Sequence, residues 1–166
     1  MNPGDAEFLP PDAYFASLAR KRMGAGALFR DAAGRVLLVD PVYLDTWNLP
    51  GGAVEAEESP HAACRREVAE ELGLDRPVGR VLAVDWVPSQ PGRPEGLIVL
   101  YDGGVLGASD IEAITVPPGE LAGFAFVRPD EVSERVPPPL ARRIAAALDA
   151  VAAGTVASLE DGSPPG

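Results

Sequence analysis

Residues 59–73 constrain the fold more than any other stretch, because they carry the start, the stop and the apolar face of one helix together. Ser59 can cap, Pro60 suits a first position whose N–H has no intrahelical partner, and Gly73 suits a left-handed stop. A helix over residues 59–72 follows. Within it Cys64, Val68 and Leu72 recur at i, i+4 and i+8, a stripe that would seat the helix on a sheet. At 100° per residue, Glu67, Glu70 and Glu71 share an arc of roughly 100° on an adjacent face. Like-charged helix neighbours cost roughly 0.2–0.5 kcal/mol per pair, so three carboxylates held together invite a hard divalent cation. Oxygen-only ligation favours Mg²⁺ or Mn²⁺. A merely solvated acidic face is the competing explanation, and the surrounding residues must decide between the two.

Hairpins are expected on both sides of this helix. Residues 25–29 and 35–39 are β-like runs joined by a turn ending in Gly34, and residues 81–87 and 97–101 form a second pair across a Pro/Gly-rich turn. Residues 111–116 and 124–127 are weaker strand candidates. Residues 12–22 are expected to form an amphipathic helix with Tyr14, Phe15 and Leu18 turned to the core, and residues 137–151 an alanine-rich helix closed by Gly154. Strands interleaved with a few helices imply an α/β layered domain with a mixed sheet. The chain divides into an N-terminal helical segment packed on the domain (1–22), the main domain (23–159) and a frayed tail (160–166).

Composition then narrows the function. The net charge of −11 repels nucleic-acid polymers and anionic membranes, while a cation held by carboxylates would still let small phosphorylated ligands bind. Cys64 is the single cysteine, which rules out an intramolecular disulfide and a cysteine-based zinc site. No apolar run approaches the ~20 residues of a membrane span, residues 1–10 lack a leader-like pattern, and a cytoplasmic location fits best.

From Gly52 the chain runs five residues to Glu58, seven more to Arg66, then continues Glu67, Val68, Ala69, Glu70, Glu71, Leu72, Gly73 and Leu74. Trp47, Asn48, Leu49, Pro50 and Gly51 lead into it. This segment resembles the Nudix hydrolase signature at every defined position. The resemblance implies an α/β/α sandwich whose loop, helix and loop bind metal and a diphosphate. It implies that Glu67, Glu70 and Glu71 are metal ligands or bases, with the Gly51 carbonyl completing the metal site. Arg66 would orient the carboxylates, Glu58 would hold the loop, and Gly52 and Gly73 would shape its ends. The expected reaction is water attack on phosphorus in a nucleoside diphosphate derivative or triphosphate, assisted by one to three Mg²⁺ (or Mn²⁺) ions.

The base is either a box glutamate or one from a later loop, where Glu120 is the first candidate and Glu112 and Glu95 the weaker ones. His61, without partners, is taken as structural or solvent-exposed. Trp47 and Trp86 could stack a base, though packing explains them more simply, and Arg20, Lys21 and Arg22 could touch a phosphate or merely complement a helix end. A catalytically silent sensor or interaction module with the same fold is the rival function. An isomerase variant of the fold finds no supporting residue. The loops 88–96 and 103–110 are expected to read the substrate, whose identity the sequence leaves open, and an exposed strand or the first helix could make a homodimer.

Overall fold

The computed structural model describes residues 9–166. Its centre is a seven-stranded mixed sheet in the order β6-β2-β1-β5-β4-β7, with β3 also paired to β1. In chain order the elements are α1 (Pro11–Ser17), β1 (Arg22–Asp31), β2 (Val36–Pro41), β3 (Gly51–Ala53), α2 (Pro60–Leu72), β4 (Val81–Val87), β5 (Gly96–Leu106), α3 (Ala108–Glu112), β6 (Leu121–Val127), α4 (Pro138–Ala153) and β7 (Ala157–Glu160), with a 3-10 turn (Pro129–Glu134) before α4. The long central strand β1 runs parallel to β5, from Arg22 opposite Gly96 to Asp31 opposite Leu106. Its other edge is shared, β3 pairing at Gly24 to Gly26 and β2 at Arg30.

Side-chain alternation on these strands makes two cores. Ala25, Ala27 and Phe29 of β1, with Leu37 and Val39 of β2, meet Cys64, Val68 and Leu72 of α2 on one face. Leu28, Val36 and Leu38 meet Leu140, Ile144 and Ala147 of α4 on the other. The three stripe residues of α2 are fully buried, and each apolar side chain so placed contributes roughly 1.5–3 kcal/mol. The α/β/α layering expected from the sequence is therefore the layering found. Among the described residues, no helix is long and apolar enough to cross a membrane.

Both hairpins form as expected, and α2 begins at Ser59, whose hydroxyl accepts from Ala62 N at 3.1 Å, and ends at Gly73 with φ 65°. Three local expectations give way to longer-range pairing. The first helix stops at Ser17 because Leu18 is already extended and Arg22 is taken into β1 beside Gly96, so the boundary at residue 22 falls inside a strand. None of the described α1 residues is buried, Phe15 being 67% exposed, which leaves its apolar face off the core; residues 1–8 of that segment lie outside the described residues.

Residues 111–116 do not form a strand. The Asp110 carboxylate accepts from Gly107 N at 2.9 Å and opens α3 instead, while Ile111 and Ile114, three residues apart, pack toward the α2 core. Nor is the chain frayed from residue 160, since β7 pairs with β4 and Asp161 N donates to the Trp86 carbonyl at 2.8 Å. Gly162 N reaches the buried Asp85 carboxylate at 3.0 Å, which ties the tail under α4.

Candidate active site

One guanidinium organises the acidic face of α2. Arg66 donates through Nε and Nη2 to the two oxygens of Glu58, each at 3.0 Å. Its Nη1 bridges Glu67 Oε1 at 2.7 Å and Glu70 Oε2 at 3.2 Å, and Nη2 also donates to the Ala53 carbonyl at 3.0 Å. Such fork-shaped, charge-assisted contacts set orientation as well as energy. Glu58 is held below the usual carboxylate range by the Arg66 bonds and by Glu55 N, whose 3.1 Å donation closes the loop between β3 and α2. Arg66 and Glu58 thus fasten the loop to the helix.

Glu71 points the other way, toward β3. It is only 8% exposed, and its Oε2 accepts from Gly51 N at 2.8 Å. Burial pushes its carboxyl up to about 7, with the charges of Glu67, Glu120 and Glu70 acting in the same direction and the Gly51 N–H opposing them. A buried acid ringed by three others is a site prepared for a positive charge. Glu120 arrives from the start of β6, where its carbonyl accepts from Val42 N at 2.9 Å, so a residue far from α2 in sequence comes within electrostatic range of it.

The paired glycines are required by close approach. Gly51 has φ 147°, a region open essentially to glycine alone, and a Cβ there would collide with the Ala25 carbonyl and Gly26 of β1. A Cβ on Gly52 would strike the Glu67 carboxylate. Gly51→Ala is therefore expected to cost about 1–3 kcal/mol of stability through backbone strain and to dislodge the N–H that holds Glu71. A denaturant midpoint unchanged from wild type would refute it.

Among the described residues, no three acidic, histidine or cysteine side chains have closed into a ready-made metal shell. The donor chemistry nonetheless fits a hard divalent cation: oxygen ligands only, mutually repelling, with one carboxylate buried and raised. Gly51, Glu67, Glu70 and Glu71 stand together, and Glu120 lies near enough for its charge to bear on Glu71. Glu112 sits on α3 and is not among the charges felt by Glu71. Glu95 is engaged by Lys21 Nζ and by Trp86 Nε1 at 2.9 Å. His61 packs edge-on against Tyr101 with Nε2 3.2 Å from the Val78 carbonyl, a structural placement.

Beside the glycines a cavity of about 680 Å³ opens on the α4 side of the sheet, floored by Gly24 and Gly26. The loop 103–110 does not line it, because its first residues extend β5 and the rest form α3; Gln90 and Arg93 of the other expected loop do. The walls that sequence reasoning missed are Tyr43, Leu44, Thr46 and the start of α4. Trp47 faces the cavity, with the Arg135 guanidinium 5.0 Å from its ring centre.

This geometry agrees with what the chain is similar to. Residues 20–150 match the NUDIX domain family model. The chain is 31% identical over 125 residues to the MutT-like protein of Streptomyces ambofaciens, covering 75% of each. It is 44% identical over 66 residues to diphosphoinositol polyphosphate phosphohydrolase 2 of Rattus norvegicus, a match spanning 39% of this chain and only 37% of that one. Among solved structures, the MutT protein of Methanosarcina mazei Go1 superposes with a TM-score of 0.66 at 24% identity, covering 82% of this chain and 99% of that one. The chain belongs to the Nudix hydrolase family, enzymes that act on pyrophosphate bonds and generally use divalent metal ions.

Proposed function

We propose that this enzyme cleaves the diphosphate linkage of a nucleoside diphosphate derivative or nucleoside triphosphate by water attack on phosphorus, with Mg²⁺ or Mn²⁺ as cofactor. The observation that carries the reading is Glu71, a carboxyl buried against Gly51 and surrounded by three further acids. Glu67, Glu70, Glu71 and the Gly51 carbonyl would hold the ion. Once bound, it supplies neutralisation of the diphosphate oxygens and of the leaving phosphate. Arg66 positions Glu67 and Glu70 through its Nη1. Glu70, with a side chain 55% exposed, and Glu120, also exposed, are the carboxylates open to take a proton from water. The cavity beside Gly51 and Gly52 receives the remainder of the substrate. A buried, unpaired Cys64 supports placement in a reducing compartment such as the cytoplasm.

The test is product release from dNTPs, NADH, ADP-ribose, diadenosine polyphosphates and sugar nucleotides, with and without Mg²⁺. Hydrolysis of at least one, abolished by chelation, is expected. Binding without turnover across the whole panel would favour the silent sensor instead.

A further inference from the structure

Among the described residues, Arg22 and Arg93 face this cavity without an acidic partner, in a chain whose net charge is −11. Among the described residues, no carboxylate forms an ion pair with Arg22 or Arg93, although acids outnumber bases along the whole sequence. Arg22 lies across the backbone of Gly96, donates Nε to the Pro94 carbonyl at 2.6 Å, and leaves Nη2 buried with no hydrogen-bond partner. A third cation, Arg143, shares the wall, fixed by Asp85 behind it. Burial, Arg93 and Arg143, in that order, lower the proton affinity of Arg22, as expected where positive charges crowd together. Among the described residues, the one carboxylate on the same lining is Asp161, which pairs through Oδ2 with Arg142 at 3.7 Å and leaves Oδ1 buried with no hydrogen-bond partner. An unsatisfied buried donor and clustered cations both cost free energy, and both costs disappear when an anion binds.

We infer that this end of the cavity is an anion subsite, built from Arg22, Arg93 and Arg143, that takes a phosphoryl group carried by the substrate beyond the diphosphate being cleaved. The inference rests on the hydrolase reading for its orientation. Gly52 pairs with Ala25 on one edge of β1 and Gly96 with Arg22 on the other, so the two ends are offset by three residues along β1, roughly 10 Å at 3.3 Å per residue, and by two strand spacings across it, again roughly 10 Å. The diagonal, roughly 14 Å, is longer than a single sugar and leaves room for a nucleoside between the two groups. The geometry therefore favours nucleotides that carry a phosphomonoester, on the far side of the nucleoside, in addition to the linkage under attack.

Matched pairs test this: ADP-ribose against ADP-ribose 2′-phosphate, and dephospho-coenzyme A against coenzyme A. Binding is read by calorimetry in chelator, and kcat/KM with Mg²⁺. Wild type should prefer the phosphorylated member of at least one pair by about 10- to 100-fold in both readouts, the range of one or two charge-assisted contacts. Arg93→Gln, on an exposed turn, and Arg22→Gln, checked for an unaltered melting temperature, should each pull that ratio toward one. Equal affinity within both pairs, no binding of any member, or a preference that survives both substitutions overturns the subsite. Preferential binding without turnover of any substrate tested would leave the subsite standing and remove the hydrolase reading. Cleavage of both members at equal rates would do the reverse.

Discussion

Glu71→Gln should lower kcat/KM by about 10²- to 10³-fold while making the chelator-treated protein more stable at neutral pH. The loss is expected because the proposed function makes Glu71 an anionic ligand of a metal that would contribute several kcal/mol of charge stabilisation. The gain has a different origin. In the folded, metal-free protein the carboxyl is pushed by burial from its ordinary value of 4.5 to about 7, whereas in the unfolded chain it titrates normally. The folded state then binds the proton more tightly. Stability is highest below pH ~4.5, falls as pH rises through about 7, and stays low above it, a loss on the order of 2–3 kcal/mol. Glutamine keeps the acceptor for Gly51 N but carries no charge, so the variant should lack this fall. Adding Mg²⁺ to wild type should restore what chelation removed, since ligand that binds only the folded state stabilises it by mass action. Melting both proteins in chelator at pH 5 and pH 8 checks the stability half. A variant that melts no higher than wild type at pH 8 would contradict the burial argument even if activity were lost.

The second large effect lies on the opposite face of the sheet. Asp85 of β4 is fully buried, accepts from Arg143 Nε at 2.6 Å, and pairs with Nη2 of the same residue at 2.5 Å. Gly162 N completes its shell. Asp85→Ala leaves the Arg143 cation buried without its partner, and breaking such a pair from one side costs about 3–5 kcal/mol. For a domain of this size the melting temperature should drop by roughly 10 °C. Asp85→Leu combined with Arg143→Met should recover most of that loss, because the penalty comes from the orphaned charge and not from the missing attraction. Residues 160–163 should loosen in the single variant, seen as faster amide exchange at Gly162. A double variant as unstable as the single one would show that the pair's geometry, not the stranded charge, holds this corner together.

Much of the α2 side of the molecule was legible in the order of the residues. The cap at Ser59, the stop at Gly73, the buried stripe of α2 and the acids beside it are all set by spacings of three or four residues. A helix converts those spacings directly into a face. Arg66 and Glu58 belong to the same short segment, so their pairing too was foreseeable from the motif. The hairpins β1-β2 and β4-β5 followed from local alternation and turn residues.

What local pattern could not reach was anything decided between distant parts of the chain. The end of α1 at Ser17 depends on β5 claiming Arg22, 74 residues before Gly96 in the fold's register. Burial of Glu71 needs β3 to lie against β1, and the presence of Glu120 needs β6 to pair with β2. Asp85 looks like an ordinary polar position until α4 and the tail close over it. The arginine-lined cavity exists only where β1, β5 and α4 meet. The sequence alone determined the helix that carries the acids and the face they share, because those depend on neighbours within one turn. Which of those acids is buried, which remote glutamate joins them and where the cavity opens were decided by tertiary packing, because each depends on backbone pairing between segments with no shared local signal.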